Sequence, residues 1–205
     1  WVERLRRSIR QALAIIDDVL LLSRAETGRL EAEIRGVNLA ELVREAVEDH
    51  QAAAHAAGID LRARPAPADF PPVPTDPRRV RQILGNLLSN AIKYTPPGGL
   101  VRVSLASDPA SPRLGGVPAV GIAVADTGPG IPAEAQEHIF EEFTRVHTGR
   151  ARGAGLGLAI SQRLARLLGG IISVDSVVGE GSTFTLWLPL HGAAESSRER
   201  TPRAA

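Results

Sequence analysis

The chain has 205 residues, 43% of them apolar but only 3% aromatic, with a formal net charge of +1 and no cysteine. That length holds one good-sized domain and an appendage, around a core of Leu, Ile, Val and Ala. Dispersed charge leaves no footprint for nucleic acid, and the lack of cysteine excludes disulfides, thiolate metal sites and Cys nucleophiles.

Residues 1–27 contain neither Gly nor Pro, and Leu5, Ile9, Ala12, Ile16 and Val19 step by four, three, four and three. This spacing predicts a bundle helix. Leu13, Ile15, Leu20, Leu21 and Leu22 widen its apolar surface beyond a two-stranded seam, as a four-helix bundle needs. Gly28 ends it, and a short strand is expected within 30–38. Asn38 caps a predicted helix over 39–57, with Leu42, Val43, Ala46 and Val47 facing inward. Gly58 stops that helix before a strand at 59–62. Residues 65–74 hold five prolines and read as a loop.

Asp76 caps the next helix, with Pro77 at its first position, where a missing N–H costs nothing. On this helix Asn86, Asn90 and Lys93 lie at spacings of four and three, which puts two carboxamides and an ammonium on one stripe. Val80, Ile83, Leu84, Leu87 and Ala91 form a neighbouring apolar stripe. One side of the helix can pack on a core while the other offers a cation and neutral oxygens to a polyanion. It reads as the wall of a nucleotide-phosphate and metal site.

Strands are expected at 100–105 and 120–126, joined by a Pro/Gly/Ser loop through residue 118. Val120, Ile122 and Val124 alternate with Gly121, Ala123 and Ala125, and that period of two puts Asp126 on the face of the large apolar side chains. A carboxylate so placed needs a partner, and no basic residue is near it in sequence. Thr127-Gly128-Pro129-Gly130 supplies backbone that a flat ligand can approach closely. An acceptor-only carboxylate in an apolar slot suits the exocyclic amine of adenine; an Asp that merely caps the turn is the plain alternative.

A short helix is expected at 133–139, then a charged, Gly-containing stretch at 141–154. Gly153, Gly155 and Gly157 form a G-x-G-L-G-L run opening a helix marked by Leu156, Ile160, Leu164 and Leu167 and ended by Gly169-Gly170. Bare N–H groups there favour an anion, and a glycine hinge for a mobile loop is compatible with that. This is not the dinucleotide fingerprint, because Leu158 replaces the third glycine, and no Walker A sequence exists. Ala91-Ile92-Lys93 is not the protein-kinase lysine strand, since neither HRD nor DFG occurs. Strands at 171–178 and 182–189 meet around Gly179-Glu180-Gly181, and a polar, disordered tail is expected from 191. The five histidines (His50, His55, His138, His147 and His191) are expected at the surface. The fold class is α+β: a two-layer sandwich of a mixed, mostly antiparallel sheet and helices, with an N-terminal bundle helix.

The order of the short motifs carries a resemblance. Asn86…Asn90-Ala-x-Lys93-Tyr94, Asp126-x-Gly128-x-Gly130, Phe140-x-x-Phe143, Gly153-x-Gly155-Leu-Gly157-Leu and Gly179-x-Gly181-Ser-Thr183-Phe184 follow one another. Together they resemble the N, G1, F, G2 and G3 boxes of sensor histidine kinases of two-component signalling. The likeness implies an ATP-binding catalytic domain at 30–190, the second helix of the dimerisation and phosphotransfer hairpin at 1–29, and a tail at 191–205. It implies that Asn86 and Asn90 hold Mg²⁺ and phosphates, Lys93 neutralises phosphate charge, and Tyr94 lies against the nucleotide. Asp126 would accept from adenine, with Gly128, Gly130, Ile131 and Thr183 around the base. Phe140 and Phe143 would root an ATP lid in which Arg145, with Arg150 and Arg152 as further candidates, reaches the γ-phosphate. Gly153, Gly155, Leu156, Gly157 and Leu158 would fold over the triphosphate.

Two departures stand out: Arg152 precedes Gly153 where the family has Gly-Gly, and the phosphoacceptor histidine belongs on a helix ahead of residue 1. With no Met and Trp1 in front, the chain is expected to be a piece of a longer protein that binds ATP but cannot phosphorylate itself. The implied partners are a response-regulator receiver domain and a second copy through the bundle, in the cytoplasm, with any membrane anchor upstream. Related ATPases of the gyrase, mismatch-repair and heat-shock chaperone type carry Glu where Asn86 stands. An ATP-hydrolysing clamp and a degenerate partner-binding module are therefore the competing readings.

Overall fold

Two polar side chains start the two long helices. In the computed structural model, which describes Trp1, Ile9, Ile16, Leu20, Leu21 and residues 30–66, 70–144 and 155–190, Asn38 Oδ1 accepts from the N–H groups of Ala40 and Glu41. It opens α1 (Leu39–Ala56). Asp76 Oδ1 accepts from Arg78 and Arg79 at 2.8 and 3.2 Å and opens α2 (Pro77–Tyr94). Both satisfy N–H groups that a helix start leaves without partners. The other Asp76 oxygen accepts from the N–H of Glu33 at 3.0 Å, tying the segment ahead of α1 to the start of α2.

Five strands form the main sheet: β2 (Asp60–Ala63), β4 (Leu100–Ser111), β5 (Val117–Asp126), β6 (Ile171–Val177) and β7 (Gly181–Pro189). Their order is β2-β4-β5-β7-β6, with β2 parallel to β4 and the remaining pairs antiparallel. The mixed, mostly antiparallel sheet is the one expected. Two short helical elements complete the fold, α3 (Ala133–Gln136) and α4 (Gly157–Leu167).

Helices cover one face of that sheet. Leu61, Val101, Val103, Val120, Ile122, Val124, Leu186, Leu188 and Ile172 bury against Leu42, Val43, Ile83, Leu84, Leu87, Ile160 and Leu164 of the helices. The period-two pattern of the strands and the amphipathic stripes of the helices meet in one aliphatic core. Removing one such leucine costs about 2–5 kcal/mol in a core of this kind.

Two expectations are corrected. The proline-rich stretch contains a strand, β3 (Val73–Thr75), paired antiparallel with β1 (Arg35–Val37). Val73 and Thr75 are fully buried while Pro74 lies between them, opposite Gly36. In a two-stranded ribbon both strands are edges, so proline is tolerated there. The first long strand also runs beyond residue 105 to Ser111, because Ser107 pairs with Val120 and Asp108 with Ala119. Its polar composition is loop-like, but pairing with an apolar partner strand decides.

The expected bundle helix lies mostly outside the described residues, as does the tail. Ile9, Ile16, Leu20 and Leu21 are helical; the first three are half exposed, whereas Leu21 packs on the core. Among the described residues no helix is long and apolar enough to cross a membrane. His55 and His138 are exposed as expected. His50 is half-buried instead, its Nδ1 2.8 Å from the Ala46 carbonyl.

Candidate functional site

The buried face of the sheet changes character at one end. Strand register aligns Leu61, Val101, Asp126, Ser182 and Ser176 in a single row across the five strands. The next row is Ala63, Val103, Val124, Phe184 and Val174. The apolar face thus ends in a carboxylate followed on one side by two hydroxyls, and the sidedness inferred for Asp126 from strand alternation holds.

Above that row lies a cavity of ≈ 90 Å³ between α2 and the sheet. Asn90, Ala91 and Tyr94 form its helical wall; Asp126, Ser182 and Phe184 form the sheet wall. Pro129, Gly130 and Ile131 close one side, and Ile139, Thr144 and Leu158 another. Mostly apolar walls with a few converging polar groups are the usual make-up of a small-molecule site.

Asp126 Oδ1 accepts from the Gly128 N–H at 2.8 Å. Burial pushes its carboxyl above the ordinary value, and the main-chain N–H groups of Gly128 and Ser182 pull it partly back. Among the described residues it has no ion-pair partner. Lone pairs beyond those facing the Gly128 and Ser182 N–H groups are left for a ligand donor. Close approach of two loops fixes this corner. A Cβ on Gly130 would stand 2.0 Å from the Val177 carbonyl, and one on Gly181 only 1.9 Å from the Asp126 carbonyl.

Ser176 organises the rest. Its Oγ accepts from the Ile131 N–H at 2.8 Å, donates to the Gly181 carbonyl and lies 2.9 Å from Ser182 Oγ. Gln136 Nε2 donates to the carbonyls of both Ile131 and Ser176 at 2.9 Å. Satisfied buried polar networks of this type hold a loop in one arrangement.

The other expected residues fall in three groups. Asn86, one turn before Asn90 on α2, lies against α4: its Nδ2 donates to Ser161 Oγ at 2.8 Å. A Cβ on Gly157 would stand 2.3 Å from Asn86 Oδ1. Lys93 is exposed, its Nζ 4.7 Å from the centre of the Tyr94 ring and 3.2 Å from Tyr94 Oη. It stands outside the cavity wall rather than in it. Thr183 is not on that wall either; register puts it opposite Ala125, on the far face of the sheet, and Ser182 takes the place expected for it.

Phe140 backs the cavity, its ring edge-on to Phe184 at 6.5 Å and 82°. Phe143 is 67% exposed with φ 61°, and its N–H donates to the Gly155 carbonyl at 3.1 Å. Leu156 is buried and Leu158 lines the cavity. Arg145, Arg150, Arg152 and Gly153 lie outside the described residues. Ser182, Ser176 and Ser161 were missed by sequence reading. Ser182 was within reach, because it shares the parity of Phe184, Leu186 and Leu188, whereas Thr183 goes with Thr185 and Trp187.

Residues 75–192 match the family described as "Histidine kinase-, DNA gyrase B-, and HSP90-like ATPase". Adaptive-response sensory kinase SasA of Synechococcus sp. (strain JA-3-3Ab) is 34% identical over 92% of this chain and 48% of its own length. Circadian input-output histidine kinase CikA of Synechococcus elongatus is 37% identical over 92% of this chain and 24% of its own. The chain thus spans about half, or less, of the curated relatives it matches. Among solved structures, full-length ShkA in complex with AMPPNP superposes with a TM-score of 0.80 at 34% identity, over 94% of this chain and 38% of that one. Acinetobacter baumannii histidine kinase AdeS, at 22% identity, shares the fold with a TM-score of 0.75 over 93% of this chain and 84% of its own.

Proposed function

The chain belongs to the family of histidine kinase-, DNA gyrase B- and HSP90-like ATPases and carries an ATP-binding kinase domain of the sensor-histidine-kinase type, and from this premise we propose how its site works. ATP lies with its adenine in the cavity under α2, the amine donating to Asp126. Its triphosphate runs past Asn90 and Asn86 toward the start of α4. The observation that carries this reading is Asp126: a carboxylate on the wall of a mostly apolar cavity, held by the Gly128 N–H at 2.8 Å with the Ser182 N–H beside it, and pushed up by burial. A ligand donor at that point relieves part of the desolvation cost.

The donor set fits a hard divalent cation. Asn86 and Asn90 offer carboxamide oxygens, and among the described residues no cluster of three or more His, Cys, Asp or Glu could hold a metal alone. Magnesium suits such a site, because it is commonly held by one or two side chains together with substrate phosphates. When bound it neutralises phosphate charge. The chain's own task is positioning: Asp126 orients the base, Ser182 and Ser176 fix the loop around it, and the two carboxamides align the triphosphate. The γ-phosphoryl group then leaves its bridging oxygen for an imidazole nitrogen elsewhere in the full protein, releasing ADP, and passes on to an aspartate of a response-regulator receiver domain.

Residues 1–29 act as one helix of a dimerisation and phosphotransfer hairpin in this reading. Ile9, Ile16 and Leu20, helical and half exposed at spacings of seven and four, support a seam that pairs with other helices. The working place is the cytoplasm. Asn86 cannot take a proton from water, so hydrolysis of free ATP is slow.

Titration calorimetry with a non-hydrolysable ATP analogue tests the reading. Binding that strengthens with Mg²⁺ and is lost in Asp126→Asn is expected. No binding to the wild-type chain would overturn it. Turnover of free ATP at ~1 s⁻¹ or above, within the ordinary enzyme range, would instead favour a hydrolysing clamp.

A further inference from the structure

Asn86 and Ser161 lie 75 residues apart in sequence and meet where α2 packs on α4, Nδ2 to Oγ at 2.8 Å. Ser161 is 1% exposed, so water does not compete for the amide at that point. On the other side of the same carboxamide, α4 begins: Gly157 approaches so closely that a Cβ would stand 2.3 Å from Oδ1. The side chain is therefore held from both ends, its donor by a hydroxyl and its acceptor against a residue with no side chain.

Which end of the carboxamide a cation meets depends on how the side chain is held. A carboxamide rotated by half a turn swaps a lone-pair-bearing oxygen for an NH₂ group of nearly the same size. A cation accepts only the oxygen. Here Nδ2 lies on Ser161 Oγ and Oδ1 over Gly157, at the start of α4.

Resting on the nucleotide reading above, we propose that Ser161 is a positioning residue for the cation. It touches neither metal nor nucleotide, and acts by anchoring the Asn86 carboxamide against α4 through one hydrogen bond. Because Ser161 belongs to the helix that follows the glycine run, the same bond couples the placement of α4 to the readiness of α2 to take the cation.

The test separates cation-dependent from cation-independent binding. A non-hydrolysable ATP analogue is titrated into wild type, Ser161→Ala and Ser161→Thr, once in EDTA and once across a Mg²⁺ series. Ser161→Ala is expected to weaken the Mg²⁺-dependent gain in affinity about 2- to 10-fold, the worth of one hydrogen bond, with EDTA affinity unchanged. Ser161→Thr, which keeps the hydroxyl, is expected to restore it. Equal Mg²⁺ dependence in wild type and Ser161→Ala overturns the proposal while leaving the nucleotide reading intact. So does an equal fall with and without Mg²⁺, which marks a merely structural role. If Ser161→Ala does not fold, Ser161→Thr with wild-type Mg²⁺ dependence supports the proposal, and loss of that dependence overturns it. A wild-type chain that ignores the analogue altogether removes both readings.

Discussion

The N–H of Phe143 donates to the carbonyl of Gly155 at 3.1 Å, and both residues hold positive φ, 61° and 74°. A main-chain bond thus joins two described residues on either side of the stretch where the lid is expected. Beside it, Arg163 of α4 pairs with Glu142 at 3.0 Å. A left-handed glycine is ordinary, but a left-handed phenylalanine costs about 1–2 kcal/mol.

Phe143→Gly is accordingly expected to be neutral or stabilising in urea denaturation. The side chain is 67% exposed, so little packing is lost, and the backbone strain disappears. A loss of more than about 1 kcal/mol, the usual penalty for introducing glycine, would show that the ring has a partner.

Asp126→Asn is expected to weaken the ATP analogue by about 1.5–3 kcal/mol, the range for a hydrogen bond to a charged group. It should also stabilise the fold at neutral pH. Burial raises the folded carboxyl above its unfolded value near 3.8, so the native state holds the proton longer and stability falls as pH rises through that window. Asparagine escapes this. Urea melts from pH 3 to 7 should show the advantage of the variant vanish on the acid side; an advantage that grew toward low pH would contradict the placement of Asp126.

Asp76→Ala removes a helix cap and leaves the Glu33 N–H without its acceptor. A loss of about 1–2 kcal/mol at pH 7 is expected in urea denaturation. Burial alone would raise the Asp76 carboxyl, but the N–H groups of Glu33, Arg79 and Arg78 together hold it below the ordinary value. Its contribution is present above the unfolded pKa and lost as pH falls through the folded one. Wild type and variant should therefore converge in strong acid.

Gly157→Ala would put a methyl 2.3 Å from Asn86 Oδ1. Helix propensity favours alanine by about 1 kcal/mol and overpacking costs about 1–3 kcal/mol, so the fold is expected to lose at most about 2 kcal/mol, with the strain centred on the carboxamide. The Mg²⁺-dependent part of nucleotide affinity should drop about tenfold. An unaltered Mg²⁺ titration would show that Asn86 is free to move aside.

Local chemistry made much of this chain legible. Asn38 and Asp76 start helices because a short polar side chain before an amphipathic run has one good use, and Asp126 was located by a period of two. What eluded the sequence depended on partners far away in it. β4 continues through polar residues because β5 is opposite, and β3 survives its proline because Val73 and Thr75 have somewhere to bury. Thr183 was chosen over Ser182 by its place in a motif, although the alternation that located Asp126 also decides between these two. Ser161, inside an amphipathic helix, carries no mark that Asn86 would need it.

The Asp76 carboxylate joins two fates that sequence keeps apart. One oxygen steadies the first turn of the helix bearing the carboxamides, and the other grips the strap leading in from the N-terminal side. The strap and the root of α2 therefore share one anchor, and neither can be displaced without straining the other.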